Sequence, residues 1–299
     1  PFFRKADVGL VNLESPISAR GKVIKGKKFT FRSQPSAAPA LHRAGITAVS
    51  LANNHILDYG PPALADTLQA LDAAGVAHAG AGKNLAASRR PAVITLPGGQ
   101  IMAILSFSLT FPESYWATGA KPGTTPGDIS LVQADVNSAN AWATVVVVCF
   151  HWGGELISEP RPYQIDLGHA AIDAGAALVV GTHPHILQGV EWYHAGVILY
   201  SLGNLAFGGG QSRDAVQSAL VQVVFSSSGE AESVRARGLS VDNLRTRFQP
   251  TPLTGVENLA WLQTFGALSR AWGTKIALAE DAWADLSPPE KTQNANAKE

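Results

Sequence analysis

Five short apolar segments of the sequence are each followed by side chains that bind metals or transfer protons. They are residues 8–13 before Glu14, 46–51 before Asn53-Asn54-His55, 144–150 before His151, 177–180 before Thr182-His183-Pro184-His185, and 197–201 before Gly203-Asn204. Imidazole, carboxylate and amide oxygen together suit Zn²⁺, Mn²⁺ or Fe, whereas Ca²⁺ prefers shells made only of oxygen. The residue types therefore predict a site for a divalent transition metal.

The most specific of these signals is His183-Pro184-His185, where a rigid residue separates two imidazoles that follow a predicted strand. A simpler interpretation stays open for every candidate. His183, His185 and His151 could be ordinary hydrogen-bonded residues, and Asn residues favour turns. Glu14 could be solvated, and Asp58 could cap the helix that begins near Pro61.

The elements that must position these side chains are alternating strands and helices. Residues 145–148 are four consecutive valines, as expected for a strand that is buried on both faces of a sheet. Helices are predicted at 62–74 and 161–174, and each ends at a glycine. In open α/β sheets ligands bind beyond the carboxyl ends of the strands, so we expect the five groups to share one crevice.

The C-terminal part of the sequence has a different pattern. Two long strands at 218–225 and 233–240 are predicted to form a hairpin, and residues 256–272 to form a terminal helix. We therefore predict a layered α/β domain at 1–245, a helical extension at 246–286 and a disordered tail at 287–299.

Composition excludes several classes of protein. The chain has 299 residues with 23 basic and 23 acidic side chains, so no overall charge recruits nucleic acid.

The one cysteine, Cys149, lies in an apolar strand and is predicted to be a core packing residue. No run is long and apolar enough to span a bilayer. The first residues show no signal-peptide pattern, and we expect that they lie inside a longer protein.

One basic cluster stands out from this balanced charge. It consists of Lys22, Lys25, Lys27, Lys28 and Arg32. Such a run is usually a solvated hairpin, and the functional alternative is a rim that attracts an anionic polymer.

The ordered motifs resemble those of the CapA family of poly-γ-glutamate capsule proteins, over roughly residues 5 to 210. In chain order they are Asn12-Leu13-Glu14, Ala52-Asn53-Asn54-His55 with Asp58 and Gly60, Gly80-Ala81-Gly82, His151-Trp152-Gly153 with Glu155, His183-Pro184-His185 with Gln188, and Tyr200-Ser201-Leu202-Gly203-Asn204. This family is similar in turn to calcineurin-like metallophosphoesterases. The resemblance implies a metallophosphoesterase-like α/β sandwich with one or two metal ions at the sheet ends.

The same resemblance assigns roles to individual residues. It implies that the metal ligands are Glu14, Asn54, His151, His183 and His185. The catalytic imidazole would be His55, with Asp58 or Glu155 as its orienting partner. The family normally begins with a strand that ends in Gly-Asp and supplies a further carboxylate, and this sequence starts after that point. If the strand lies upstream of Pro1, the full protein has the complete site, and if it is absent, the binding-subunit alternative given below is favoured. Residues 1–299 alone are then expected to hold at most one tightly bound ion.

The function implied by the resemblance is synthesis, processing or export of poly-γ-glutamate or a related cell-surface polymer, and the expected activity class is a metal-dependent hydrolase. Two alternatives stay open: a phosphoesterase for a small phosphate ester, and a non-catalytic subunit that binds polymer. The expected partners are an anionic polymer or a small-molecule substrate, and membrane-complex proteins. The expected location is extracytoplasmic or membrane-associated.

Overall fold

A computed structural model describes residues 2–208 and 213–289 of the chain. The strands are β1 Leu10–Asn12, β2 Ala48–Ser50, β3 Ala77–Ala79, β4 Ala81–Gly82, β5 Ala92–Thr95, β6 Ile101–Ser108, β7 Gly123–Thr124, β8 Val145–His151, β9 Leu178–Thr182, β10 Val190–Tyr193, β11 Gly196–Leu199, β12 Gln217–Phe225, β13 Ala231–Ser240, β14 Thr251–Pro252, β15 Lys275–Leu278 and β16 Ala284–Ser287. The α-helices are α1 Ala37–Ala44, α2 Gly60–Ala74, α3 Leu85–Ser88, α4 Ile129–Asn140, α5 Pro162–Asp173, α6 Asn243–Thr246 and α7 Gly255–Arg270.

The largest sheet has six strands in the order β10-β11-β9-β8-β6-β5. The four inner strands are parallel, and both outer strands are antiparallel to their neighbours. Every residue of β8 is buried, because alternate side chains such as Val146 and Val147 enter hydrophobic clusters on opposite faces of the sheet. Burial raises the pKa of the Cys149 thiol to about 12, as expected for a packing residue. The layered α/β sandwich predicted from the sequence is confirmed.

A second sheet, of three parallel strands in the order β1-β2-β3, stands beside the first. Its core includes Val49 of β2 and Leu64 and Leu71 of α2. The carboxyl ends of β1 and β2 lead directly to Glu14 and to the segment 53–55. This sheet therefore supplies the N-terminal half of the candidate site.

The C-terminal residues form a third sheet, in the order β12-β13-β16-β15 with β14 beside β13. The predicted hairpin is β12 and β13, and the predicted terminal helix is α7, whose Trp261 and Phe265 are fully buried. The segment 246–286 holds more than this helix, because β15 and β16 also lie there and β16 pairs with the hairpin. The predicted tail at 287–299 lies outside the described residues from 290 onward.

Candidate metal centre

The carboxyl ends of the strands open into a cleft of about 1490 Å³. Its lining includes the predicted strand-end residues Glu14, Thr182, His183, His185 and Asn204. These side chains come from β1, β9 and the segment after β11, which are far apart in sequence. Three of the five predicted strand ends therefore meet in this cleft, whereas His151 and the segment 53–55 are not among its lining residues.

His151, the last residue of β8, is completely buried, and both of its ring nitrogens have polar partners. Nδ1 lies 3.0 Å from the Thr182 hydroxyl, which donates to the Phe150 carbonyl at 3.1 Å and can therefore accept the Nδ1 proton. Nε2 lies 2.9 Å from Asn54 Oδ1 and 3.7 Å from Glu14 Oε1. Burial holds the pKa of His151 well below its usual value, so the ring is neutral. A cation at this point would meet one nitrogen and two oxygen atoms from three strand ends.

His183 and His185 follow β9 in a strained backbone conformation, with φ of 99° and 61°. A positive φ in a residue other than glycine costs on the order of 1–3 kcal/mol and is concentrated at functional sites. His185 Nδ1 donates to Asn204 Oδ1 at 2.8 Å, which leaves Nε2 3.8 Å from Glu14 Oε1. Burial lowers the pKa of His185, and it lowers the pKa of His183 to about 3. Both rings are therefore neutral ligands at physiological pH.

Glu14 lies between these histidines, and only one of its two carboxylate oxygens has a hydrogen-bond donor. Oε2 accepts from Asn12 Nδ2 at 2.9 Å, whereas Oε1 is buried and has no partner among the described residues. His183 Nδ1 is in the same situation. Burial, with smaller contributions from Glu155 and Asp58, raises the pKa of Glu14 to about 8. Buried polar atoms without partners are costly, and a cation would satisfy both atoms.

The ligand atoms form two overlapping groups, each with all atoms within 4.8 Å of one another. One group is Glu14, His151 and His183, and the other is Glu155, His183 and His185. Three protein ligands of this kind are sufficient to hold a divalent metal with an open position for water. The residues therefore fit a divalent cation, and His183 belongs to both groups.

His55 occupies a separate and fully paired part of the site. Its Nδ1 lies 2.6 Å from Asp58 Oδ2, and Lys27 Nζ lies 2.5 Å from Asp58 Oδ1. Tyr115 Oη and the Phe31 amide also donate to this carboxylate, at 3.1 and 2.7 Å. Burial raises the pKa of Asp58, but the hydrogen bonds from His55 and Lys27 outweigh it and the net pKa is lowered. Asp58 is therefore an ionised, buried anchor for the imidazole.

Asp58 does not cap a helix. The N-cap of α2 is Tyr59, whose side chain makes no capping hydrogen bond. Of the two orienting partners predicted for His55, the structure places Asp58 in contact with it. Glu155 is solvent-exposed and lies instead with His183 and His185, which makes it a candidate ligand.

Lys27 and Asn12 are residues whose roles were not predicted. Lys27 Nζ also donates to the Asn54 carbonyl and lies 3.2 Å from His55 Nδ1, although the sequence placed it in a basic cluster without distinction from its neighbours. Asn12 connects Glu14 to Asn53, whose amide donates to Asn12 Oδ1 at 3.1 Å. A signal for Asn12 was available, because residues two apart on a strand share a face.

Fold and site together define a layered α/β protein with a candidate metal centre at the carboxyl ends of its parallel strands. The chain belongs to the bacterial capsule synthesis protein family PGA_cap, whose family model matches residues 1–209. It is 30% identical over 279 residues to the PGA biosynthesis protein CapA of Bacillus subtilis, covering 90% of this chain and 73% of that protein. It is 33% identical over 238 residues to the capsule biosynthesis protein CapA of Bacillus anthracis, covering 77% of this chain and 57% of that protein. The resemblance to CapA is confirmed.

Solved structures with a similar fold are more distant. The NAD nucleotidase NadN of Haemophilus influenzae is 15% identical with a TM-score of 0.42, over 77% of this chain and 43% of that chain. The sulfate thiohydrolase SoxB of Thermus thermophilus is 16% identical with a TM-score of 0.46, over 82% of this chain and 41% of that chain. This chain therefore spans about two-fifths of the length of these enzymes.

Proposed function

We propose that the chain is a metal-dependent hydrolase that acts in the synthesis, processing or export of poly-γ-glutamate or a related cell-surface polymer. The polymer is suggested by the names of the two Bacillus relatives, a PGA biosynthesis protein and a capsule biosynthesis protein. The hydrolase class is suggested by the site itself. A location at the cell surface follows from the same role.

One observation carries the proposal: buried polar atoms of metal-ligand type converge, and two of them have no partner. Glu14 Oε1 and His183 Nδ1 have no hydrogen-bond partner among the described residues, and His151 Nε2 lies 2.9 Å from Asn54 Oδ1 and 3.7 Å from Glu14 Oε1. One or two ions of Mn²⁺, Zn²⁺ or Fe would be held by Glu14, Asn54, His151, His183 and His185, with Glu155 as an additional ligand. When bound, such a metal supplies an acidified water and polarises the group to be cleaved.

The protein's own proton chemistry is assigned to His55. Its Nδ1 is engaged by Asp58, which leaves Nε2 as the atom that can transfer a proton. Asp58 fixes the ring orientation, and Lys27 and Tyr115 hold Asp58. His55 would therefore protonate the leaving group, and its hydrogen bonds keep it in place before substrate arrives.

Two substitutions separate the proposed roles. His55→Ala is expected to abolish hydrolysis of poly-γ-glutamate while the metal content stays near that of the unmodified chain. His183→Ala is expected to abolish both. His194→Ala is the matched control, because His194 also has a positive φ and a carboxylate partner, Asp173, but belongs to neither ligand group.

Hydrolysis is measured on poly-γ-glutamate and on a chromogenic phosphodiester, and the metal by elemental analysis. Cleavage of the phosphodiester alone would support a phosphoesterase instead. Retention of polymer on an affinity column with no cleavage by any of the proteins would support a non-catalytic binding subunit.

A further inference from the structure

The segment 21–29, called the basic loop below, combines cations with exposed apolar side chains beside the site. Eight of its nine residues are exposed, and the exception is Lys27, which turns inward to Asp58. The exposed cations are Lys22, Lys25 and Lys28. No acidic residue lies between Glu14 and Asp58, so the loop is locally cationic in a chain without net charge.

Three apolar side chains of the basic loop are exposed beside these lysines. Val23 is 49% exposed, Ile24 is 37% exposed and Phe29 is 57% exposed. Contact with water is unfavourable for these apolar side chains, and a local group of exposed apolar residues commonly marks an interaction surface. Lys28 Nζ also lies 5.1 Å from the centre of the Phe29 ring, so cation and aromatic ring are presented together.

The loop is held against the protein body at several points. The Ile24 amide donates to the Asp58 carbonyl at 2.8 Å, and Lys27 Nζ donates to Asp58 Oδ1. At Gly21, with φ of 88°, a Cβ would lie 2.1 Å from the Tyr59 carbonyl oxygen, so only glycine permits this approach. The exposed lysines and apolar side chains are therefore displayed by an anchored loop.

We infer that the basic loop docks onto an anionic lipid surface, with Val23, Ile24 and Phe29 in the interfacial layer and the three exposed lysines on headgroup phosphates. Apolar burial and attraction to anionic lipids together drive such interfacial binding. A soluble anionic polymer would account for the lysines but offers no apolar phase for the other three side chains. The inference does not depend on the proposed hydrolase activity.

The test is flotation of the purified chain with vesicles, at about 0.15 M salt where the Debye length is about 8 Å. The chain is expected to float with vesicles of mixed phosphatidylglycerol and phosphatidylcholine, and not with pure phosphatidylcholine. The triple variant Lys22→Gln, Lys25→Gln, Lys28→Gln is expected to lower the partition coefficient about 100-fold, from about fivefold per lysine. Phe29→Ser is expected to lower it about tenfold.

The matched control is the triple variant Arg43→Gln, Lys83→Gln, Arg90→Gln, which removes the same charge from exposed positions elsewhere and should bind vesicles like the unmodified chain. Equal losses in both triple variants would overturn the inference, as would failure of the unmodified chain to float. Retention on poly-γ-glutamate that needs the lysines but not Phe29, without vesicle binding, would assign the loop to polymer instead. The His183→Ala variant should float with vesicles like the unmodified chain. The vesicle test can therefore be interpreted even if the hydrolase proposal fails.

Discussion

The candidate site has two halves, one around Asp58 and one around Glu14, and they differ in how their buried polar groups are satisfied. Around Asp58 every charge has a partner: His55, Lys27, Tyr115 and a backbone amide all donate to one carboxylate. Around Glu14 metal-ligand groups lie close together, and two buried atoms, Glu14 Oε1 and His183 Nδ1, have no partner in the described part of the chain. The first half is complete by itself, whereas the second half becomes complete only with a cation.

This difference assigns the halves to different tasks. A fully hydrogen-bonded imidazole is positioned before any ligand binds, as a proton-transfer group must be. Neutral imidazoles beside a half-satisfied carboxylate are typical of ligands, because metal binding needs deprotonated nitrogen and oxygen atoms. Substitutions around Asp58 should therefore change stability without changing metal affinity, whereas substitutions around Glu14 should change metal affinity.

The largest effect on stability is expected for Asp58→Ala. The change leaves Lys27 in a site where its side chain is 16% exposed, without its carboxylate partner. Removing one partner of a buried pair costs about 3–5 kcal/mol, so the free energy of unfolding in urea should fall by that amount. Glu257→Ala breaks the exposed pair with Arg245 and should lower the free energy of unfolding far less. Loss of metal from the Asp58 variant would show that the halves are not separate.

Glu14→Gln should alter the pH dependence of stability in the metal-free chain. The pKa of Glu14 is about 8 in the folded chain and 4.5 ordinarily, so the folded state retains a proton that the unfolded state has lost. Stability from this group is then present below about pH 4.5 and is lost as pH rises toward 8. The variant should lack this loss, which is on the order of 3 kcal/mol between pH 5 and 8.

Chemical unfolding of both proteins across this pH range measures the difference. Glu159→Gln, at an exposed position, should behave like the unmodified chain. Saturating metal should also remove the loss, because the bound cation keeps Glu14 ionised. Parallel curves for Glu14→Gln and the unmodified chain would mean that Glu14 is solvated.

A smaller effect on metal affinity is expected for Thr182→Val. Valine has nearly the same shape but cannot accept the proton of His151 Nδ1, which is then free to move to Nε2. Partners that orient a ligand are worth 10- to 100-fold in metal affinity, and we expect about tenfold here. Thr67→Val removes a buried hydrogen bond to Ile17 and should leave metal affinity unchanged. If the Thr182→Val variant binds metal with unchanged affinity, the position of His151 at the end of β8 is sufficient to orient its ring.

Much of this site could be predicted from the sequence because strand ends are local features. Apolar runs followed by His151, His183 or Glu14 are visible without knowing any partner, and parallel strands bring such ends together. The course of the basic loop was not predictable. Lys27 reaches Asp58 across 31 positions of sequence, and nothing local distinguishes it from Lys25 or Lys28.

Two further features were hidden for similar reasons. The positive φ values of His183 and His185 were not predicted, since that conformation is expected of glycine rather than histidine. Strands β15 and β16 have four residues each, and β16 pairs with β13 far upstream. The regular pattern of α7 therefore led to a purely helical prediction for that segment.

The central claim is that the half of the site around Glu14 holds a divalent metal. The most direct test is to remove metal from the chain with a chelator and then to titrate it with Zn²⁺ or Mn²⁺ in a calorimeter. We predict one tightly bound ion for the unmodified chain. Because His183 belongs to both ligand groups, His183→Ala should weaken binding at least 100-fold, more than the loss expected for an orienting partner. His194→Ala should bind like the unmodified chain. Absence of binding to the unmodified chain, or equal affinity for His183→Ala, would contradict the account.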